Sequence, residues 1–308
     1  MVNVIRFRGG SLMKCELCPR ACGIDRDVNI GFCGVVNTPV IAKAFLHMWE
    51  EPCISGNKGS GAVFFSGCNL KCVYCQNYRI SQENFGKKIN TYDMKKIFLK
   101  LQKQGAHNIN LVNPSHYMVQ IIDSLKSYPI LEIPVVYNTN AYEKTESLKM
   151  AKGVVDIYLP DLKYFSSETS LNYSRAEDYF EVASKAIIEM FSQVGKPIVD
   201  DTGIMQRGLI IRHLILPSHS GDSIKLLDWI KENFPKDVYV SLMSQYTPYY
   251  KAQCYTEINR RITRWEYERV VNHFIKLDFE NGYIQERDSA EEKYIPEFNL
   301  SGLDYTGD

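Results

Sequence analysis

No run of apolar residues in this sequence is long enough to cross a bilayer, which takes about 20 consecutive apolar positions. The N-terminus lacks the basic, apolar and small-residue succession of a secretory signal. Charge of one sign is missing too, since 36 Lys and Arg face 36 Asp and Glu among 308 residues. A chain with no net positive field has no broad attraction to phosphate backbones or anionic lipid, so nucleic-acid and membrane partners are disfavoured. Internal repeats and low-complexity tracts are absent, which removes solenoids and disordered arrays. What the chain does have is cysteine, nine residues in all and most of them clustered. Without an export signal, that usage argues against a disulfide framework. It points instead to metal or redox chemistry in a reducing compartment, and a cytoplasmic location is expected.

The length suits one large α/β domain or one barrel with appendages. Short apolar runs at 61–67, 107–112, 134–137, 154–159, 209–216 and 238–243 read as six buried strands. Helical spacing of apolar residues fills the gaps at 94–101, 117–126, 142–151, 176–194 and 224–233. Thr263, with Glu266 three residues later, marks a capping box that opens a last helix. Strands alternating with helices imply parallel pairing through crossover helices. Six such units suit a partial (β/α)6 barrel better than a closed eight-stranded one. A doubly wound open sheet is the alternative that periodicity does not separate. In both folds ligands sit at the C-terminal strand ends. The expected division is a loop-like, Cys-rich N-terminal metal-binding segment at 13–60, the barrel at 61–279 and a C-terminal tail at 280–308. Met13 offers an alternative start, so residues 1–12 are left out of the fold reading.

Directly after the first strand, Cys68, Cys72 and Cys75 form a C-x3-C-x2-C pattern. Three thiolates on one short loop can hold three irons of a [4Fe–4S] cubane, leaving the fourth iron open to a small molecule. S-adenosylmethionine (SAM) can bind that iron through its amino and carboxylate groups. An electron passed into its sulfonium then yields a 5′-deoxyadenosyl radical. A structural zinc site normally takes four ligands in two separated pairs, which this loop does not supply.

The string Phe65-Ser-Gly-Cys68-x3-Cys72-x-Tyr74-Cys75-x-Asn77 resembles the radical SAM superfamily signature. Over most of the chain the sequence resembles members described as pyruvate formate-lyase activating enzyme-like. The strings 49–56 (WEEPCISG), 105–112 (GAHNINLV) and 241–250 (SLMSQYTPYY) carry that resemblance. It implies a partial barrel and a radical SAM oxidoreductase. It also implies an electron donor such as flavodoxin or ferredoxin and a protein or small-molecule substrate, with a glycyl radical enzyme among the candidates. It places Tyr74 near the adenine of SAM. The usual Gly-Gly-Glu-Pro-like segment after the second strand is replaced by 112–116 (VNPSH), where Asn113 and Ser115 are the polar candidates. Asp161 and Lys163 fall in an Asp-x4-Asp-x-Lys pattern, with Lys163 suited to the SAM carboxylate; read alone, they are also an ordinary surface ion pair. His213 lies in the segment where a histidine approaches SAM, and it also reads as a core histidine. Asn138 and Asn140 follow the third strand as ribose contacts or turn residues.

Cys15, Cys18, Cys22 and Cys33 form a second group in a segment with almost no apolar periodicity, which suggests metal-nucleated folding. Zinc and an auxiliary iron–sulfur cluster fit the spacing equally. Cys53 and Cys254 read as small buried residues. Tyr246, Tyr249 and Tyr250 follow the sixth strand and are candidates to line a substrate pocket. The alternative from another functional class is a non-catalytic iron–sulfur electron-transfer or metal-binding protein, whose cluster would carry four protein ligands.

Overall fold

The computed structural model describes residues 14–286 and 296–304; the reading of 1–12, the start at Met13 and parts of the tail lie outside the described residues. Ten strands are described: β1 (Val40–His47), β2 (Ser60–Phe65), β3 (Lys87–Lys88), β4 (Ile109–Val112), β5 (Val135–Thr139), β6 (Ile157–Pro160), β7 (Ile198–Val199), β8 (Met205–Leu214), β9 (Tyr239–Met243) and β10 (Asn281–Ile284). Nine helices accompany them: α1 (Pro52–Ser55), α2 (Tyr78–Ser81), α3 (Thr91–Lys103), α4 (Met118–Lys126), α5 (Thr145–Met150), α6 (Ser167–Ser174), α7 (Tyr179–Val194), α8 (Ser220–Asn233) and α9 (Arg264–Lys276).

The six strands expected from sequence are β2, β4, β5, β6, β8 and β9, and they lie side by side in that order. All five pairings between them are parallel. The result is an α/β fold on a mostly parallel sheet whose path does not close among the described residues. The Thr263–Glu266 capping box is present at the start of α9. Among the described residues no helix is long and apolar enough to cross a membrane.

Two expectations are corrected. Residues 13–60 are not all loop, because β1 pairs antiparallel with β2 and adds an edge to the sheet. The tail is not all surface wrap, because β10 pairs parallel with β9. The alternating direction of side chains along a strand explains how β1, α1 and β2 are used. One set of strand residues, including Ile109, Leu111, Tyr137, Leu209 and Ile211, packs in the large core that also contains helix residues such as Ile97 and Ile187. The alternate set, Val136, Ile157, Leu159 and Ile210, forms a second cluster with Cys53 and Ile54 of α1. Helix α1 therefore plugs the inner face of the sheet. Burying a side chain such as Ile54 contributes about 1.5–3 kcal/mol. Polar residues on the same inner face bond to the plug: Asn108 Nδ2 donates to Ile54 O at 2.8 Å, and Asn110 Nδ2 donates to Glu50 Oε1 at 3.0 Å.

Candidate functional site

The loop carrying Cys68, Cys72 and Cys75 turns out of β2 at Gly67, where φ is +89°. A Cβ there would lie 2.8 Å from Val35 Cγ2 and 2.9 Å from Cys33 O, so only glycine fits. Backbone bonds then fix the loop. Cys68 N donates to Cys33 O at 3.0 Å, Lys71 N to Ser174 O at 3.3 Å, and Val73 N to Tyr173 O at 2.8 Å. The last two carbonyls belong to the end of α6, a helix that is stopped by Arg175 in the left-handed conformation.

Each of the three sulfurs has a hydrogen-bond partner that can donate. Cys68 Sγ accepts from Leu70 N and Asn140 Nδ2, both at 3.4 Å. Cys72 Sγ accepts from Ser174 Oγ at 3.0 Å, and Cys75 Sγ lies 3.2 Å from Ser81 Oγ. Burial pushes the Cys68 thiol up to about 11 and the Cys75 thiol up to about 12. Without a cation both stay protonated at neutral pH, whereas a bound metal deprotonates them. Among the described residues no three His, Cys, Asp or Glu side chains are grouped as a site for one metal ion. A cubane does not need that convergence, since each thiolate takes a different iron. Three sulfurs with donors directed at them fit such a cluster.

The three cysteines border a cavity of about 450 Å³ whose other walls come from the C-terminal ends of the parallel strands. Asn113 follows β4, Asn138 and Thr139 end β5, Asp161 and Lys163 follow β6, Arg212 lies in β8, and Gln245 and Tyr246 follow β9. This is the mouth position expected for a ligand in such a fold. Its volume lies within the usual range for small-molecule sites, about 300–1,000 Å³.

One wall is a buried ionic network centred on Arg212. Its Nε donates to Asp161 Oδ1 at 2.8 Å, Nη1 to Glu50 Oε2 at 3.0 Å, and Nη2 to Asn138 Oδ1 at 2.6 Å. Lys163 Nζ donates to the other Asp161 oxygen at 2.7 Å. Burial opposes the charge on Asp161, but Arg212 and Lys163 outweigh it and hold the carboxyl below its usual range. Lys163 is likewise held charged by Asp161 against burial. Burial raises Glu50 against the pull of Arg212. His47 also lines the cavity, and burial lowers it to about 4, so it is neutral at physiological pH.

Tyr74, Asn113, Asn138, Asp161, Lys163, Tyr246 and Tyr249 thus face the same cavity. Three other candidates do not. His213 is a satisfied core histidine: Nδ1 lies 2.7 Å from Leu162 O and Nε2 2.9 Å from Ser223 Oγ. Tyr250 stacks on Tyr78, with ring centroids 5.0 Å apart, instead of lining the cavity. Ser115 turns away to donate to Glu143. Cys254 is exposed, contrary to expectation, whereas Cys53 is buried. Sequence patterning assigns no role to Glu50, Arg212 or Ser174. The string 49–56 was the available signal for Glu50, and nothing local marks Ser174.

Glu143 is a buried carboxyl. Its Oε1 accepts from the Ser115, Thr139 and Tyr137 hydroxyls, and Oε2 is buried without a partner. Burial outweighs those donors and raises the carboxyl from 4.5 to about 7. A carboxyl raised in the fold stabilises it below the unfolded value and loses that contribution as pH rises through the folded one. Between pH 4.5 and pH 8 the native protein is expected to lose roughly 3 kcal/mol from this group. Glu143→Gln keeps the accepting oxygen, and urea unfolding across that range should show this component gone. An unchanged slope would show that Glu143 titrates normally.

The second cysteine group lies against the signature loop. Besides the Cys33–Cys68 backbone bond, Arg20 donates to Asn69 O, Ser174 O and Arg175 O, and Arg26 Nη1 donates to His116 O at 2.6 Å. Arg20 also lies over the Phe32 and Tyr142 rings. Burial lifts the Cys18 thiol to about 12 and raises Cys33. All nine cysteines are free thiols.

The chain is similar to several known proteins. The family model described as Radical SAM superfamily matches residues 62–215. The uncharacterized protein MJ0674 of Methanocaldococcus jannaschii is 35% identical over 268 residues, covering 84% of this chain and 73% of that protein. Streptococcus suis SuiB bound to S-adenosylmethionine has a similar fold, with a TM-score of 0.51 at 15% identity over 73% of this chain. SuiB bound to its precursor peptide SuiA gives 0.50 at 17% identity over 71%. The chain spans about half the length of those SuiB structures, 50% and 46%. A matched segment that runs from β2 through the cysteine loop to the end of β8, with a relative aligned over most of both chains, places the protein in the radical SAM superfamily, whose members are enzymes.

Proposed function

We propose that Cys68, Cys72 and Cys75 hold a [4Fe–4S] cluster and that the adjoining cavity takes SAM. The observation that carries this reading is the placement of three buried sulfurs, each with a hydrogen-bond partner able to donate, at one end of a cavity built from strand ends. When bound, the cluster and SAM together supply a 5′-deoxyadenosyl radical that abstracts hydrogen from the substrate. The chain's own residues bind, orient and exclude water. Lys163 and Asp161 offer opposite charges to the carboxylate and ammonium of an amino acid, and Arg212 keeps Asp161 ionised. Asn113 and Asn138 supply further polar contacts, and Tyr74 supplies a flat ring. Tyr246 and Tyr249 line the cavity on the side that follows β9 and are proposed to contact the substrate. A flavodoxin- or ferredoxin-type protein is the electron donor.

The substrate proposed first is a protein or peptide. A neighbour of the same fold is described with a bound precursor peptide, and the resemblance to activating enzymes points to a glycyl radical enzyme. Cys15, Cys18, Cys22 and Cys33 are not grouped for a single ion such as zinc, and they are proposed to hold an auxiliary iron–sulfur cluster that braces the signature loop from behind.

The test is anaerobic reconstitution with iron and sulfide, counting iron and zinc in the native chain and in a Cys15/Cys18 variant, followed by reduction with SAM present. Formation of 5′-deoxyadenosine and a changed electron paramagnetic resonance spectrum on adding SAM are expected. No product and no spectral change would return the chain to the electron-transfer reading. An organic radical formed on mixing with a candidate glycyl radical protein would establish that substrate.

A further inference from the structure

The sulfur of Cys72 stands at the end of a chain of three hydroxyls. Ser174 Oγ lies 3.0 Å from Cys72 Sγ, Tyr164 OH lies 2.6 Å from Ser174 Oγ, and Tyr74 OH lies 2.5 Å from Tyr164 OH. Each hydroxyl has one proton to give, and a thiolate can only accept. That fixes the direction of every bond. Ser174 commits its proton to the sulfur, so its oxygen accepts from Tyr164. Tyr164 then accepts from Tyr74, whose ring lines the cavity. All three hydroxyl-bearing residues are buried. The relay is also held in place: the backbone bonds to the end of α6 flank Cys72, and Tyr74 packs edge-on against Tyr164 with centroids 6.4 Å apart.

Hydrogen bonds to cluster sulfurs favour the reduced, more negative state and raise its potential. Successive hydroxyls polarise one another, strengthening each bond by about 10–30%. We propose that the Tyr74–Tyr164–Ser174 relay tunes the reduction potential of the centre at Cys72 and ties it to the cavity wall. The inference rests on the cysteine assignment above. One electron enters from the flavodoxin- or ferredoxin-type donor, and no proton leaves the relay.

The experiment is a redox titration of the full chain after anaerobic reconstitution with iron and sulfide, followed by electron paramagnetic resonance. Ser174→Ala is expected to shift the midpoint to a more negative potential. Tyr164→Phe should give a smaller shift in the same direction, and Tyr74→Phe a smaller one again. Ser174→Thr, which restores the hydroxyl, should return the midpoint to the native value. If Ser174→Ala does not assemble a cluster, Tyr164→Phe carries the test, because it leaves the Ser174 hydroxyl in place. Midpoints unchanged in both Ser174→Ala and Tyr164→Phe would overturn the relay and leave the cysteine assignment standing. A native chain that assembles no cluster would overturn both.

Discussion

Cys72→Ala is expected to abolish SAM cleavage while leaving the chain folded. Two thiolates cannot hold three corners of a cubane, so the loss is of the centre itself and not of a contact to it. The fold survives because the loop does not depend on that sulfur. Lys71 N and Val73 N are bonded to the end of α6 on either side of position 72, and Cys68 N is bonded to Cys33 O. The structural cost is the Ser174 hydroxyl left without its acceptor, about 1–3 kcal/mol for an unsatisfied buried donor. Iron content, 5′-deoxyadenosine yield and urea unfolding of the metal-free protein separate the two effects. Native-level product from Cys72→Ala would remove this loop from the chemistry.

Arg212→Met should cost about 3–5 kcal/mol of stability, the range for removing one partner of a buried ion pair. Methionine approximates the volume but none of the donors. Glu50 then loses its one cationic partner in the network, and Asp161 keeps only Lys163. Burial already pushes Glu50 toward its neutral form, so without Arg212 it takes up a proton. A second change, Glu50→Gln, removes the stranded charge. The double variant Arg212→Met/Glu50→Gln is therefore expected to recover part of the loss, a coupling readable by urea unfolding. Losses that simply add would show that Glu50 and Arg212 do not act as a pair. SAM binding should weaken in both variants, because Asn138 and Asp161 are oriented by the same guanidinium.

The central strands were legible because each is a short apolar run, and parallel strands covered on both faces need no polar alternation. Strand β1 was missed because Lys43 interrupts its run and the neighbouring Cys, Gly and Pro read as loop. Strand β10 opens on Asn281-Gly282, which reads as a turn. Helix α6, with sequence SETSLNYS, has no apolar stripe and is held by capping and by the loop it grips. Site residues at strand ends could be placed once the strands were known, hence Asn113, Asn138, Asp161 and Lys163. His213 could not be assigned from its position alone, since its fate depends on Ser223 and Leu162 across the packing. Arg212 and Glu50 are 162 positions apart, and no local pattern reveals such a pair.

The grip of α6 on the cysteine loop also orders events during synthesis. Cys72 leaves the ribosome 102 residues before Ser174, and Arg20 leaves 155 residues before its partner carbonyl at Arg175. Until those late residues emerge, the loop lacks its bonds to the end of α6, and long-range closure of that kind is slow. The early cysteines are therefore expected to stay loosely held, accessible thiols until those partners arrive. If the loop holds a cluster, its loading is expected to wait until Ser174 and Arg175 of the 308 residues have emerged, and a nascent protein stalled before α6 would be the form most exposed to oxidation or mismetallation.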